Sequence, residues 1–574
     1  MHGGGTLQCP APNRGVSAIH LWFSGSFFSD GVSLTHAATT STLHTTHAKR
    51  RWRMALLLAA SVLFFLLVLT FLLALVLQPD LHRDENQFIA SGALLARQGL
   101  MPYRDYPYFH VPNLVFVYAL IDRLTDHLLL GARLLSLCCA MIVALMLFIY
   151  TFRVFDDRPV WTRWSLSAAV VVVMMSSRVY SYACGKAWNH DLPLMLSVAA
   201  FLCVCKAVRD RPLWRWLAAA GFMMGLAAGT RLTYVPAACA MAAIALIAPR
   251  LTWRQRIGAA GCYMAGGLVS LAPSAVCFAM APRQFVFGNL QFPALSVAIH
   301  MLDDPARQTI THIVLSKLAA VMKQTVARGS NVFLFAAGAA AYLAARRRGI
   351  TMGVEVVYLL AIILFFWTAA CLPTPTYMQY FYEPLPFMMM HLVLMTRTAF
   401  AGRALPWKSI GLLVLAMTVG LGPKLYAWQP EPGWQPYQVA MSAVLRGRWI
   451  PMEIHNLGVT VARDMGNDGP LLTVQPTIAL EGGLHIYPEF ATGVFAFRAA
   501  PTLPADRRIE LDMISPNDLP RLLSHSPPRA FLTSHDDADV ESPFLDYAKS
   551  RHWTSRELAG HFLWQDWPSD DAGR

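Results

Sequence analysis

The sequence predicts an α-helical polytopic membrane protein of about 11 transmembrane helices, followed by a small C-terminal α/β domain outside the membrane. Three observations predict it. Of the 574 residues, 55% are hydrophobic and 14% charged, well below the roughly 25% charged residues of soluble domains, and the mean hydropathy is +0.42. Apolar runs of about 17–25 residues, the length that crosses a bilayer as helix, recur along the chain. Acidic residues are also unevenly spread: fifteen of the 34 precede residue 430 and nineteen fall in 431–571, where the apolar runs stop.

Residues 1–53 are rich in Gly, Ser, Thr and His with a single acid, Asp30, and read as a disordered basic cytoplasmic tail or as an over-extended start upstream of Met54. The apolar run Ala55–Leu77 is too long for a cleaved signal peptide and is expected to stay as an anchor. Basic clusters at 49–53, 153–163, 206–215, 250–256, 346–348 and 397–408 separate the later runs. Lysine and arginine mark cytoplasmic loops, and these clusters alternate with spans at 54–78, 129–152, 163–180, 191–206, 214–230, 233–249, 257–280, 331–345, 354–371, 383–396 and 409–426. The formal charge of +13 therefore reports topology, and no nucleic-acid partner is expected. The N-terminus falls inside and the C-terminus outside. Two further stretches, 109–125 and the amphipathic 306–328, read as re-entrant or interfacial helices on the outer side.

The catalytic module is then expected over 54–427, with outer-face loops at 79–128, 181–191, 281–330 and 372–383. On this topology Asp80, Asp84, Glu85, Asp105, Asp122, Asp126, Asp191, Asp303, Asp304 and Glu383 lie on the outer face. Residues 428–574 read as a soluble extracytoplasmic domain, with strands at Leu471–Val474 and Ala530–Thr533 and a helix over 543–550. The ten cysteines form no metal-spaced or paired framework.

Asp84 and Glu85 open a helix expected over 85–97, directly beyond the first span. Acids at a helix start serve as caps, but acids at a membrane edge also meet water or perform chemistry. Asp191, with Pro193 in the first turn of the next span, is read in the same two ways. Arg231 falls between two spans where positive-inside bias disfavours it; it either snorkels or binds an anion.

In order, Asp84-Glu85, Pro102-Tyr103-Arg104-Asp105, the run from Tyr106-Pro107-Tyr108 to Pro112, Asp191, and Gly225-Leu226-Ala227-Ala228-Gly229-Thr230-Arg231-Leu232-Thr233 resemble the GT-C glycosyltransferases. That superfamily includes protein O-mannosyltransferases and lipid A aminoarabinose transferases, and the likeness covers about 54–400. It implies transfer of a sugar from a polyprenyl-phosphate donor to a lipid, glycan or protein acceptor at the outer face of the plasma (bacterial inner) membrane, with inversion. Asp84 is implied as the base, with Glu85 beside it and Asp191 as a second carboxylate. A divalent cation (Mg or Mn) held by Asp84 and Asp191 stays open, since members of the superfamily differ in metal use.

A departing lipid phosphate needs cations; Arg231, Lys186, Arg178 and Arg104 are the candidates. Tyr106, His110, His190, Tyr377, Gln379 and Tyr382 are candidates for substrate contact, and aromatic anchoring at the membrane interface explains the tyrosines about as well. The late loop Pro373–Pro384 lacks the basic residue or histidine that many relatives carry there. A polytopic transporter or lipid flippase is the alternative, although no internal repeat of the kind transporters show is evident.

Overall fold

Helices form where the apolar runs were read. In the computed structural model, which describes residues 40–208, 213–248, 251–295, 310–323, 330–350, 353–373, 376–426, 449–466, 469–534 and 538–567, the chain opens with α1 (Thr40–Leu77), α2 (Arg83–Gln98) and α3 (Asn113–Asp122). Then follow α4 (Leu128–Val154), α5 (Val160–Met175), α6 (Arg178–Ala183), α7 (Asp191–Ala207), α8 (Trp214–Thr230), α9 (Val235–Ile247), α10 (Trp253–Ser270) and α11 (Ala272–Met280). Helices at Ser330–Arg346, Val354–Cys371, Leu385–Ala399 and Trp407–Tyr426 complete the set on which the predicted spans fall. The helix Ile310–Met322 occupies most of the amphipathic stretch read at 306–328. The expected tail up to residue 39, the linker 427–448, and residues 296–309 and 324–329 of the long loop lie outside the described residues.

Boundaries depart from the sequence reading in three places. The first helix begins at Thr40, so the basic cluster at 49–53 rides on its N-terminal turns. The span read over 163–180 ends at Met175, because Ser176 and Ser177 break the helix before Arg178 starts a short one. The span read over 257–280 is bent by 52° between α10 and α11. Pro273, at the start of α11, cannot donate to the preceding turn and clashes with its carbonyl. By length and composition α4, Val354–Cys371 and the Arg51–Leu77 part of α1 cross a membrane on their own, and the bent pair makes a fourth if counted as one span. The chain is an integral membrane protein.

Small residues let the helices approach. Gly221 and Gly225 lie on one face of α8, and a Cβ built on Gly221 would sit 1.8 Å from the Tyr263 carbonyl oxygen of α10. A Cβ on Gly225 would meet the Gly267 carbonyl at 2.5 Å, and one on Gly266 the Ala218 carbonyl at 2.1 Å. This is backbone-to-backbone packing of the small-residue kind that membrane helices use in place of a hydrophobic driving force. Gly229, one turn further along α8, abuts the amide of Asn113 at 2.3 Å by the same measure. Asn113 Nδ2 also donates to the Ser270 carbonyl at 3.1 Å. The stretch read as re-entrant or interfacial contains a ten-residue helix, α3, seated against α2, α8 and the bend after α10.

Beyond the bundle, residues 449–567 build a four-stranded sheet in the order β1 (Leu471–Leu472), β2 (Ala530–Ser534), β4 (His561–Gln565), β3 (Thr554–Leu558). β1 pairs parallel to β2, while β2–β4 and β3–β4 are antiparallel. The β3–β4 hairpin was not anticipated. Its turn, Ala559-Gly560, has both φ angles positive, the geometry of a primed two-residue turn, and an Ala-Gly pair announces that weakly. The short helix Pro476–Glu481 docks this region onto the bundle: Arg97 donates to the Leu480 carbonyl (2.7 Å), Asn86 Oδ1 accepts from Thr477 N–H (3.2 Å), and Glu481 Oε1 accepts from Leu129 N–H (2.7 Å).

Replacing Gly221 by Leu is expected to force α8 off α10 and to cost about 3 kcal/mol or more. The measurement is the thermal midpoint and monodispersity of the purified protein in detergent; an unchanged midpoint would contradict close backbone packing there.

Candidate active site

The site is assembled around a buried cation. Arg133, on the second turn of α4, is fully buried and its guanidinium reaches across to the end of α1 and the start of α2. It donates to the carbonyls of Val76 (3.0 Å), Pro79 (2.7 Å) and Asp80 (2.9 Å), and to Glu85 Oε1 (2.8 Å) and Oε2 (2.7 Å). Glu85 takes two more donors, His82 N–H on Oε2 (2.8 Å) and Ala187 N–H on Oε1 (2.6 Å). Burial pushes the Glu85 carboxyl up, but Arg133 and the two backbone N–H groups outweigh it and hold it below the usual carboxylate range. With four donors on two oxygens, Glu85 is an ionised anchor.

The loop between α6 and α7 hangs from that anchor. Gly185 has φ +89°, and a Cβ there would press on Val76 and the Leu75 backbone at 3.1–3.2 Å, so glycine is required on both counts. Its N–H donates to Asp191 Oδ2 at 2.8 Å, while Tyr382 donates its hydroxyl to Asp191 Oδ1 at 2.7 Å. Ser136 on α4 holds the Lys186 carbonyl (2.8 Å), and Trp188 Nε1 donates to Ala183 (2.8 Å). Asp191 is buried, and each of its oxygens holds a neighbour, one from this loop and one from the late loop. It does not cap its own helix. The His, Cys, Asp and Glu side chains grouped closely enough to share an ion, among the described residues, are His127, His455 and Glu481; Asp84 and Asp191 are not so grouped.

Arg231 ends α8 in extended backbone and gathers the rest. Its Nε pairs with Glu383 Oε1 (2.7 Å) and approaches Thr233 Oγ1 (3.0 Å). Its Nη1 donates to Asn189 Oδ1 (2.9 Å) and to His190 Nε2 (2.9 Å). Thr233 donates to the same Glu383 oxygen (2.7 Å), and the guanidinium lies 5.3 Å above the Tyr380 ring. Burial, with Arg231 adding to it, lowers the His190 pKa well below its ordinary value, so the ring is neutral and can accept from arginine. Glu383 Oε2 is buried with no hydrogen-bond partner among the described residues, as is Gln379 Oε1.

Asp84 stands apart from its neighbour. Its carboxylate keeps 29% of its surface exposed, in the first turn of α2 where the helix dipole favours an anion. His82 caps that helix, accepting the Asp84 N–H on Nδ1 (3.2 Å) with its ring 5.2 Å from Trp188. Tyr380 is within electrostatic reach of both Arg231 and Asp84, and Tyr377 of Asp84. Lys186 is mostly buried, its ammonium over the rings of Tyr182 (4.2 Å) and Trp188 (4.6 Å). The bundle thus presents a partly exposed carboxylate, two cations and a set of aromatic residues at the end where α2, the 184–190 loop and the 376–384 segment meet.

The other sequence candidates divide. His110 faces this group, its ring 5.0 Å from Phe88 and its pKa pushed down to about 3 by burial and by Arg231. Arg104 is turned away onto Asp105 at 2.6 Å. Tyr106 is fully buried against α2, its hydroxyl 3.4 Å from the Ser91 carbonyl. Arg178 starts the short α6 and is half-buried; Gln379 is buried in the 3₁₀ turn Met378–Phe381 beside Tyr380. Sequence reasoning did not single out Arg133, Thr233, Asn189, Tyr380 or Glu383 as site residues. For Arg133 a signal existed: it is an arginine inside a predicted span, where a charge must find a partner.

A profile of the family described as dolichyl-phosphate-mannose-protein mannosyltransferase matches residues 105–278. No curated protein matches the full sequence. Among solved structures the chain is similar to ArnT from Cupriavidus metallidurans bound to undecaprenyl phosphate, at 12% identity and a TM-score of 0.55, over 88% of this chain and 98% of ArnT. The apo state of ArnT gives 11% identity and a TM-score of 0.50 over 90% and 98%. A weaker likeness, TM-score 0.46 at 11% identity over 91% and 75%, is to the oligosaccharyltransferase AglB of Archaeoglobus fulgidus. The profile covers under a third of the chain, and the likeness to ArnT shows a shared fold. The profile spans α3 to α11, the stretch that carries Arg133, Asp191 and Arg231.

Two outcomes are expected for this site. Glu85→Gln, which leaves Arg133 buried without its counter-charge, should destabilise the protein by about 3–5 kcal/mol, measured as a lowered thermal midpoint in detergent; a near-neutral effect would contradict its anchoring role. His110 binds its proton near pH 3 when folded but near pH 6.5 when unfolded. Between those values the unfolded chain holds more protons, so stability falls as pH falls. His110→Gln should therefore flatten the loss of thermal midpoint between pH 7 and pH 5; an unchanged slope would contradict a neutral buried ring.

Proposed function

We propose that the protein transfers a sugar from a polyprenyl-phosphate donor to an acceptor hydroxyl, with inversion, at the extracytoplasmic face of the membrane, and that Asp84 is the base. A fold alone does not carry this. The observation that supports it is the contrast between two adjacent carboxylates: Glu85 is fully buried with four donors on its two oxygens, whereas Asp84 is partly exposed and lies within electrostatic reach of Tyr380, as does Arg231. ArnT, the structural relative, is bound to undecaprenyl phosphate, which is the donor's leaving group in this reading.

The acceptor oxygen attacks the anomeric carbon from the side opposite the phosphate as Asp84 Oδ takes its proton. The bond from the anomeric carbon to the phosphate oxygen breaks, and the released lipid phosphate carries the charge. Arg231 and Lys186 stabilise that charge, the largest electrostatic demand of the transition state. Glu383, Thr233, Asn189 and His190 hold the guanidinium in place. Glu85 and Asp191 act as positioning residues: the first fixes α2 beneath Asp84, and the second fixes Tyr382 and the 184–190 loop. A cation shared by Asp84 and Asp191 would have to displace Tyr382 or the Gly185 N–H from Asp191. Tyr377 is 41% exposed and, with His110 and Tyr380, suits contact with a sugar ring.

Asp84→Asn, purified and folded as wild type, should lose about 10²–10⁴-fold in transfer from a radiolabelled polyprenyl-phosphate sugar to extracted envelope acceptors, the contribution of a general base. Arg231→Gln should lose about 10²-fold or more in kcat. Wild-type turnover by Asp84→Asn would remove Asp84 from catalysis. Movement of labelled lipid across sealed vesicles without glycosidic bond formation would support the flippase reading instead.

A further inference from the structure

A second cluster of polar side chains lies where the C-terminal region meets α4, and it is built from three separate elements. His127 immediately precedes α4, His455 sits on the helix Ile450–Met465, and Glu481 ends the helix Pro476–Glu481. One ligand atom from each lies within 4.8 Å of the others. The two imidazole rings are 4.0 Å apart, and His455 Nδ1 is 2.8 Å from Glu481 Oε2. We propose that His127, His455 and Glu481 form a zinc site that clamps the C-terminal region to the membrane bundle.

Three features argue for an ion here. Glu481 is buried, and its Oε1 is fixed by the Leu129 N–H at 2.7 Å, which leaves Oε2 aimed at the histidines. Such fixing of a carboxylate through its other oxygen is how ligands are held in metal sites. His127 Nδ1 is buried with no hydrogen-bond partner among the described residues, and an unmet buried nitrogen costs about 1–3 kcal/mol. A metal bond to that lone pair would remove the penalty. Two nitrogens and one carboxylate oxygen are a zinc donor set, with bonds of about 2.0–2.2 Å and a fourth position for water; calcium and magnesium prefer oxygen alone.

The competing account is a plain ion pair between protonated His455 and Glu481, with His127 packed against it. That account needs no metal, and the two differ in what zinc does. Neither Asp84 nor Arg231 belongs to this cluster, so its test does not depend on the transfer reaction.

The full-length protein in detergent would be stripped with EDTA, reloaded with zinc chloride, and measured for bound zinc by elemental mass spectrometry and for thermal midpoint. About one zinc per chain is expected, with a rise in midpoint of several degrees from binding the folded state. His127→Ala and His455→Ala should each bind zinc at least about tenfold more weakly and lose that rise. Glu481→Gln should do the same, and if it fails to fold, the two histidine variants decide, since the His127 side chain makes no described hydrogen bond. Zinc retention by both histidine variants at the wild-type level, or a wild-type midpoint that zinc leaves unmoved, would overturn the proposal in favour of the ion pair.

Discussion

A positive charge buried inside a membrane bundle has to be answered, and the answer organises this protein. Arg133 is fully enclosed, and a guanidinium in a low-dielectric interior is tolerated only when its charge is paired and its donors are used. Its donors end on three carbonyls at the exit of α1 and on both oxygens of Glu85. That one group therefore decides where α1 stops, how α2 starts and, through Glu85 and Ala187, where the loop before α7 lies.

The consequence is a division of labour between adjacent residues. Successive residues on a helix point about 100° apart. When Glu85 faces Arg133, Asp84 is turned toward the 376–384 segment, and its carboxylate stays accessible. Arg231 shows the complementary solution: it is held by Glu383, Asn189 and His190 yet lies over Tyr380 near the same opening. One cation is spent on architecture and the other is kept at the site.

The C-terminal region is part of this arrangement. Pro476–Glu481 binds α2 through Asn86 and Arg97 and α4 through Leu129, the two helices that Arg133 joins. The same short helix supplies Glu481 to the histidine cluster. Its packing thus bears on the helices beneath Asp84 from the side away from the bundle.

What the sequence determined by itself is set by local chemistry. Hydrophobic run length and loop charge sufficed to place the helices, because in a membrane each helix satisfies its own backbone. The strands at 471–472 and 530–534 were visible as short apolar runs, whereas the β3–β4 hairpin was hidden behind an unremarkable Ala-Gly turn. Asp84, Asp191 and Arg231 stood out because charges at span ends are rare. Only the tertiary structure decided which charge meets which. Partners such as Arg133 and Glu85, Arg231 and Glu383, or Tyr382 and Asp191 are separated by 48, about 150 and 191 residues, and no local rule links side chains across such distances. Whether a carboxylate anchors a loop or faces an opening is fixed by the neighbours that folding brings to it.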